Sequence, residues 1–344
     1  MFPPTPQDGD RESWDADNSR HVARSAPGRS SSGFYAGAPE GSSGQIGRSR
    51  PKSLEDLEED QDEHDEVVVV PVRRDLALAI AGFAALLGVG LILGAQTSGP
   101  DARLPYAIVI FGVQLLFVLA WVMAIRPPSP GIVGGVCAVV AAAADYFAIS
   151  TQAANLAPLG YVAAGGFALA VVGQLVRRTE RVRVTDSLGA TLLIVIGVVS
   201  FASLIVLTRK PIGTQTVLVC LAAAGVALFV ARLTDAIFAK PRLAPQVPRG
   251  ATGIILGAMF GTLAAAILGS VLVLPFNPGK GAILGLVTAG VAVLVDLAVD
   301  YAETSRSMAG DAPTFWLARH MQGPLGAFAL ASPAAYALAI FFLS

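Results

Sequence analysis

From Arg73 onward, apolar runs of about 20 residues follow one another almost without interruption. Each is long enough to cross the ~30 Å hydrocarbon core of a bilayer as a helix. The runs cover 76–95, 104–125, 131–150, 156–176, 187–207, 213–233, 251–274, 280–303 and 325–343, which predicts nine transmembrane helices. A membrane barrel would need alternating strands of about ten residues. These runs are continuous, so the expected fold is all-α and polytopic. Pro, Gly and Arg punctuate them, as in Arg126-Pro-Pro-Ser-Pro130 and Lys240-Pro-Arg242.

Residues 1–70 have a different pattern. They are rich in Gly, Ser, Pro and charge and have almost no apolar periodicity, so they cannot bury enough surface to offset chain entropy. The expected organisation is a disordered acidic cytoplasmic arm at 1–70 and a transmembrane helical domain at 71–344. Within the arm, 55–66 holds nine acids in twelve residues, and fifteen of the 25 acids precede position 70. That run is either a solvated face or a docking segment. No basic n-region followed by an apolar h-region opens the chain, so no cleavable signal peptide is expected.

Composition agrees with this picture. Apolar residues make up 54% of the chain and charged ones 14%, with a mean hydropathy of +0.63, which excludes an ordinary water-soluble enzyme. A net charge of −1 speaks against a nucleic-acid partner. Cys137 and Cys220 lie in separate apolar runs, and His21, His64 and His320 are far apart, so neither a disulfide framework nor a zinc cluster is expected. The distribution of charge says more. With the N-terminus inside, the arm end and even-numbered connections carry thirteen Lys and Arg, from Arg73 to Arg319. The opposite side carries only Arg103, Arg209, Lys210 and Lys280. The positive-inside rule then puts the N-terminus in the cytoplasm and the C-terminus outside. Gly253, Gly257 and Gly261 recur every four residues, and Gly281 and Gly285 repeat the spacing, so these runs are expected to pack closely on other helices.

Ionisable groups within membrane spans are candidates for function. Asp145 lies late in the third run beside Tyr146, and is either a hydrogen-bonded packing residue or a proton or ion site. Gln114 and Gln174 are expected to join helices by hydrogen bonds. Asp296, Asp300 and Glu303 are spaced i, i+4, i+7 and share one helical face. Asp296 and Asp300 are therefore candidate ligands for a hard cation such as Mg²⁺, the alternative being a water-facing helix end. Between the sixth and seventh runs stand Arg232, Asp235, Lys240, Arg242 and Arg249, stiffened by Pro241, Pro245 and Pro248. Lys240, Arg242 and Arg249 are candidate phosphate or head-group ligands, the alternative being an ordinary positive-inside loop. No phosphate-binding glycine loop, nucleophile elbow or zinc-ligand spacing occurs.

The segment Phe238-Ala-Lys-Pro-Arg-Leu-Ala-Pro-Gln-Val247 resembles an element of the bacterial phosphatidate cytidylyltransferases, the CDP-diacylglycerol synthases. Leu284-Gly285-Leu286 with Val295-Asp296-Leu297 is similar to a second element of that family. His320, followed by Ala331-Ser-Pro-Ala-Ala-Tyr336, is similar to a third. The resemblance is densest over 228–344 and, in topology, extends over 73–344. It implies a bacterial inner (plasma) membrane, a role in phospholipid metabolism, and His320 as a further site residue.

This chain also departs from the family pattern. An Asp-Thr pair is replaced by apolar Leu228-Phe229-Val230. Pro248-Arg-Gly-Ala-Thr-Gly253 lacks two lysines and a glutamate, Val299 takes a glutamate position, and Met321-Gln322 replaces two glycines. Cytidylyl transfer depends on positioning and on charge neutralisation by Mg²⁺ and cationic side chains. One such electrostatic group is worth ~2.7–4 kcal/mol, so this chain is expected to keep the fold and lose the chemistry. The expected function is a non-catalytic membrane protein that binds anionic phospholipid or associates with a membrane protein of lipid synthesis, without a cofactor. Two alternatives stay open. One is an active cytidylyltransferase using CTP and Mg²⁺ with Asp296 as a metal ligand, and the other a small-solute transporter built on Asp145 and Gln174.

Overall fold

The computed structural model describes residues 73–97, 102–176, 184–238, 240–311 and 315–343. The expected acidic arm, with its run at 55–66, lies outside the described residues, as do Arg177, Arg178, Arg181 and Arg183. Among the described residues nine helices are long and apolar enough to cross a membrane. They are α1 Arg74–Gln96, α2 Leu104–Ile125, α3 Pro130–Ser150, α4 Ala157–Val176, α5 Val184–Thr208, α6 Gly213–Ile237, α7 Ala251–Val271, α8 Pro278–Met308 and α9 Trp316–Phe342. No β-strand occurs among those residues; Arg242 and Gly250 form one isolated antiparallel bridge. The chain is an all-α, multi-pass membrane protein.

Local chemistry sets several helix starts. Asn277 caps α8 by accepting a hydrogen bond from the Lys280 amide at 2.8 Å, and proline occupies the first turn of α2, α3 and α8. Two helices outrun their apolar stretches most, and α6 runs one turn past its expected end at 233. Helix α8 continues to Met308, past the expected end at 303, and α9 begins at Trp316 rather than 325. The added turns carry Arg306, Arg319 and His320, and hydropathy alone stops where these polar side chains begin. Pro324 and Pro333 lie inside α9 without ending it.

Helices α5 and α6 form the centre, with 78% and 67% of their most apolar windows buried, against 22% for α4 and α7. The outer surface stays apolar: Leu86, Val271, Leu274 and Phe341 are each more than 70% exposed, as a bilayer-facing surface requires. The glycine repeat of α7 packs on α6. A Cβ at Gly257 would stand 2.5 Å from the Ala227 carbonyl oxygen, and one at Gly253 2.8 Å from that of Ala231. Gly281 and Gly285 of α8 pack back onto α7 around Ala265. The two repeats thus join α6, α7 and α8 through close backbone approach.

Helices α1 and α9 start, and α2, α6 and α8 finish, at one end of the bundle, here termed the basic end. At the opposite end two arginines cap α3. Arg103 donates to the Ile149 carbonyl at 3.0 Å, and Arg209 donates to Ala148 at 2.6 Å and to the Thr151 carbonyl. Cations at a helix C-terminus satisfy its last carbonyls and oppose its dipole.

Candidate functional site

Arg232 and Asp235 belong to the last turns of α6, three residues apart and therefore on neighbouring positions of one face. Asp296 and Asp300 occupy adjacent turns of α8. Arg249 comes from the α6–α7 loop, which folds back as a small hairpin. The Leu243 amide donates to the Arg249 carbonyl at 3.2 Å, and Ala251 to Pro241 at 2.9 Å. This closure turns the Arg249 side chain inward, between α6 and α8.

The five side chains form one buried ionic cluster. Arg232 Nη2 lies 2.6 Å from Asp296 Oδ1 and 3.1 Å from Asp300 Oδ2. Arg249 Nη1 lies 2.9 Å from Asp296 Oδ2, and its Nε is 3.1 Å from Asp235 Oδ2. The Gly250 amide donates to Asp235 Oδ1 at 2.9 Å, at the N-terminal end of α7, where the helix dipole favours a carboxylate. Arg249 and Asp296 are 0% exposed. A buried charge is tolerable only when it is paired and hydrogen-bonded, and each charge here faces at least one opposite charge. Two glycines make the room. A Cβ at Gly253 would come within 2.5 Å of Asp235 Oδ1, and one at Gly323 of α9 would overlap Asp296 Oδ1.

Next to the cluster a cavity of about 430 Å³ opens at the basic end. Arg73, Arg232, Arg319 and His320 supply its basic groups, Asp300 and Glu303 its acids, and Leu76, Ala77 and Ile80 of α1 an apolar wall. Glu303 is paired with Arg319, and Trp316 packs edge-on to His320 with ring centroids 5.6 Å apart. Arg232 borders both cavity and cluster, and its Nε is buried without a hydrogen-bond partner among the described residues.

The residues expected from sequence to form a site are thus partly separated. Asp296, Asp300 and Arg249 meet, but in contact with one another: Arg249 is an internal counter-ion and is not exposed to a head group. Lys240 is exposed on the hairpin, Arg242 is half-buried there, and neither borders the cavity. His320 does, together with Gln246 and Pro248 of the hairpin. Arg232 and Asp235, which accompany the candidate loop in the sequence without being among the expected ligands, are central, and so is Gly323. The spacing of Arg232 and Asp235 on a helix end carries a signal for them; nothing in the sequence marks Gly323.

A divalent cation would need free carboxylate oxygens. Both oxygens of Asp296 face guanidinium groups, and Asp300 Oδ2 lies 3.1 Å from one and 3.5 Å from the other. Among the described residues no group of three or more His, Cys, Asp or Glu side chains is arranged around a common metal position. As placed, this donor set suits the two guanidiniums and does not fit Mg²⁺.

Asp145 and Gln174 lie near opposite ends of the bundle, in separate contacts. Gln114 Nε2 donates to Asp145 Oδ1 at 2.9 Å and to the Val198 carbonyl at 3.0 Å. Gln174 Nε2 donates to Ser187 at 2.7 Å. Asp145 Oδ2 and Gln114 Oε1 are both buried without a partner. Asp145→Asn keeps an oxygen to accept from Gln114 Nε2 and removes a buried carboxylate, so thermal unfolding in detergent is expected at or above the wild-type temperature, whereas Asp145→Leu deletes that acceptor and costs ~1–3 kcal/mol of stability. Equal losses for both variants would show that the pair is not joined as described.

No protein-family model matches the chain, and no curated protein sequence matches it either.

Proposed function

We propose that this protein binds an anionic phospholipid at its basic end without turning it over, as a non-catalytic relative of the phosphatidate cytidylyltransferases in a bacterial inner membrane. The observation that carries the reading is the cavity at that end, whose lining joins Arg73, Arg232 and Arg319, set against the two acids Asp300 and Glu303, to the aliphatic Leu76, Ala77 and Ile80. A phosphate with a glycerol backbone and acyl chains has the same two-sided character. Arg232 lines the cavity, and its buried Nε has no hydrogen-bond partner among the described residues. The engagement of Asp296 by two arginines supports binding without metal-assisted transfer. The thirteen-to-four excess of basic residues supports a cytoplasmic position for this end and an external C-terminus. A reporter fused after residue 343 then reads as external.

The test is binding of the purified full chain to vesicles with and without phosphatidate. Binding is expected to rise with phosphatidate and fall with salt, and Arg73→Gln with Arg319→Gln is expected to weaken it about thirtyfold, at ~1 kcal/mol for each cation near an anionic surface. Unchanged binding by this double variant overturns the cavity as the site. CTP-dependent formation of CDP-diacylglycerol, abolished by Asp296→Asn, would overturn the non-catalytic reading.

A further inference from the structure

A second cavity lies at the other end of the bundle, away from every charged group of the cluster. It is a crevice of about 520 Å³ between α3 and α4, bordered by Val139, Ala143, Phe147, Tyr161, Gly165 and Leu169, and its wall is almost wholly apolar. Small residues create it. A Cβ at Gly165 would meet nothing within 4 Å, whereas the adjacent Gly166 is in close packing, its Cβ position 2.5 Å from Val140 Cγ2. Gly165 therefore leaves open space where Gly166 lets the two helices touch.

The crevice reaches from Val139 to Thr151, twelve residues along α3, or ~18 Å at 1.5 Å per residue. One leaflet contributes about half of the ~30 Å hydrocarbon core, so this length matches a single acyl chain. A partner helix does not fit, because a helix with side chains is ~10 Å across and would need well over twice this volume over the same length. Tyr161, 78% exposed, and Phe147 lie at the end of the crevice nearest Thr151, where aromatic side chains mark the membrane interface.

That end also carries charge. Thr151 borders the crevice, and Arg209 Nη1 reaches its hydroxyl at 3.3 Å. Arg209 forms no ion pair with a carboxylate among the described residues; its two Nη atoms donate to carbonyl and hydroxyl oxygens, and its Nε is buried without a hydrogen-bond partner. Its positive charge is thus uncompensated by an acid at the mouth of an apolar crevice. We infer that the α3–α4 crevice holds one acyl chain of a glycerophospholipid whose phosphodiester lies beside Arg209, a lipid site separate from the cavity at the basic end.

The inference is tested with the full chain purified in mild detergent and supplied with phosphatidylglycerol. Native mass spectrometry counts retained lipids, and a spin-labelled phosphatidylglycerol reports the rate of exchange. Gly165→Leu fills the crevice from a position where a side chain meets no neighbour, so folding is preserved. It is expected to remove one retained lipid per chain and to speed exchange at least tenfold, and Arg209→Gln is expected to speed exchange at least threefold. Arg73→Gln with Arg319→Gln leaves this lipid in place, which separates the site from the cavity at the basic end. Equal lipid counts and exchange rates in wild type and Gly165→Leu would overturn the inference. So would a wild-type dimer that Gly165→Leu converts to monomer, because the crevice would then be an interface between copies of the chain.

Discussion

Arg249→Met is expected to destabilise this protein more than any other single loss of charge. The substitution removes a fully buried guanidinium and leaves Asp235 with only its Gly250 amide and Asp296 with only Arg232. Breaking a buried ion pair by deleting one partner costs ~3–5 kcal/mol, because the remaining charge stays desolvated. Against a total stability of ~5–15 kcal/mol, that is enough to lower the unfolding temperature severely and to reduce the monodisperse yield in detergent. Adding Asp235→Asn to Arg249→Met removes the orphaned carboxylate, keeps an oxygen to accept from the Gly250 amide, and is expected to restore part of the loss. The residues are in contact, so their effects should be far from additive. An unfolding temperature for Arg249→Met equal to that of wild type would mean that the cluster contributes nothing to holding α6, α7 and α8 together.

Gly261→Leu is expected to have a comparable effect for a different reason. A Cβ at this position would stand 2.5 Å from the Ala223 carbonyl oxygen of α6, 2.9 Å from Ala227 Cβ and 2.7 Å from Ala289 Cβ of α8. The nearest atom belongs to backbone, so no rotamer change relieves the overlap, and α7 has to move away from both neighbours. Overpacking a core typically costs ~1–3 kcal/mol, and here the displaced element is a whole helix, which puts the cost at the top of that range or above it. In lipid no hydrophobic force recovers the lost contact, because a separated helix face is solvated by acyl chains as well as by protein. Gly82→Leu on α1 is the matched control, since a Cβ there meets nothing within 4 Å. Fluorescence-detected size exclusion should show a folded peak for Gly82→Leu and its loss or broadening for Gly261→Leu; equal profiles would refute the close seam.

The family resemblance seen in the sequence and the cavity seen in the structure bear on each other at three places. The hairpin after Phe238, the region around Asp296 and the start of α9 at His320 all lie at the basic end. Around them, however, guanidiniums face the carboxylates. Arg232 and Arg249 stand among Asp235, Asp296 and Asp300, so positive charge that a metal could supply from solution is covalently part of the chain. Under the proposed function a phosphate would be held by Arg73 and Arg319, which line the cavity together with Arg232. This arrangement suits retention of an anionic group more than its transfer.

What the sequence determined by itself was the number, type and approximate length of the membrane elements. Hydropathy over 20 residues is a sum of many like terms, so the nine helices are legible even where single residues are misleading. It fell short at the polar ends of α8 and α9, and by one turn at the end of α6, where backbone hydrogen bonding continues past the apolar stretch. The glycine repeat on α7 was legible for a related reason: absence of a side chain every four residues has few uses other than close approach. The site was legible only in part. Asp296 and Asp300 could be placed on one face because helical periodicity is local. That Arg249 turns inward to meet them, while Lys240 and Arg242 remain on the hairpin, depends on a loop closure across which no periodicity runs. Likewise, Gly323 lies 27 residues from Asp296 along the chain, and its role exists only because α9 crosses α8 at that point. Charge partners in a membrane bundle are selected by which helix ends converge, and that convergence is a property of tertiary packing, decided by the small residues that let α6, α7, α8 and α9 approach.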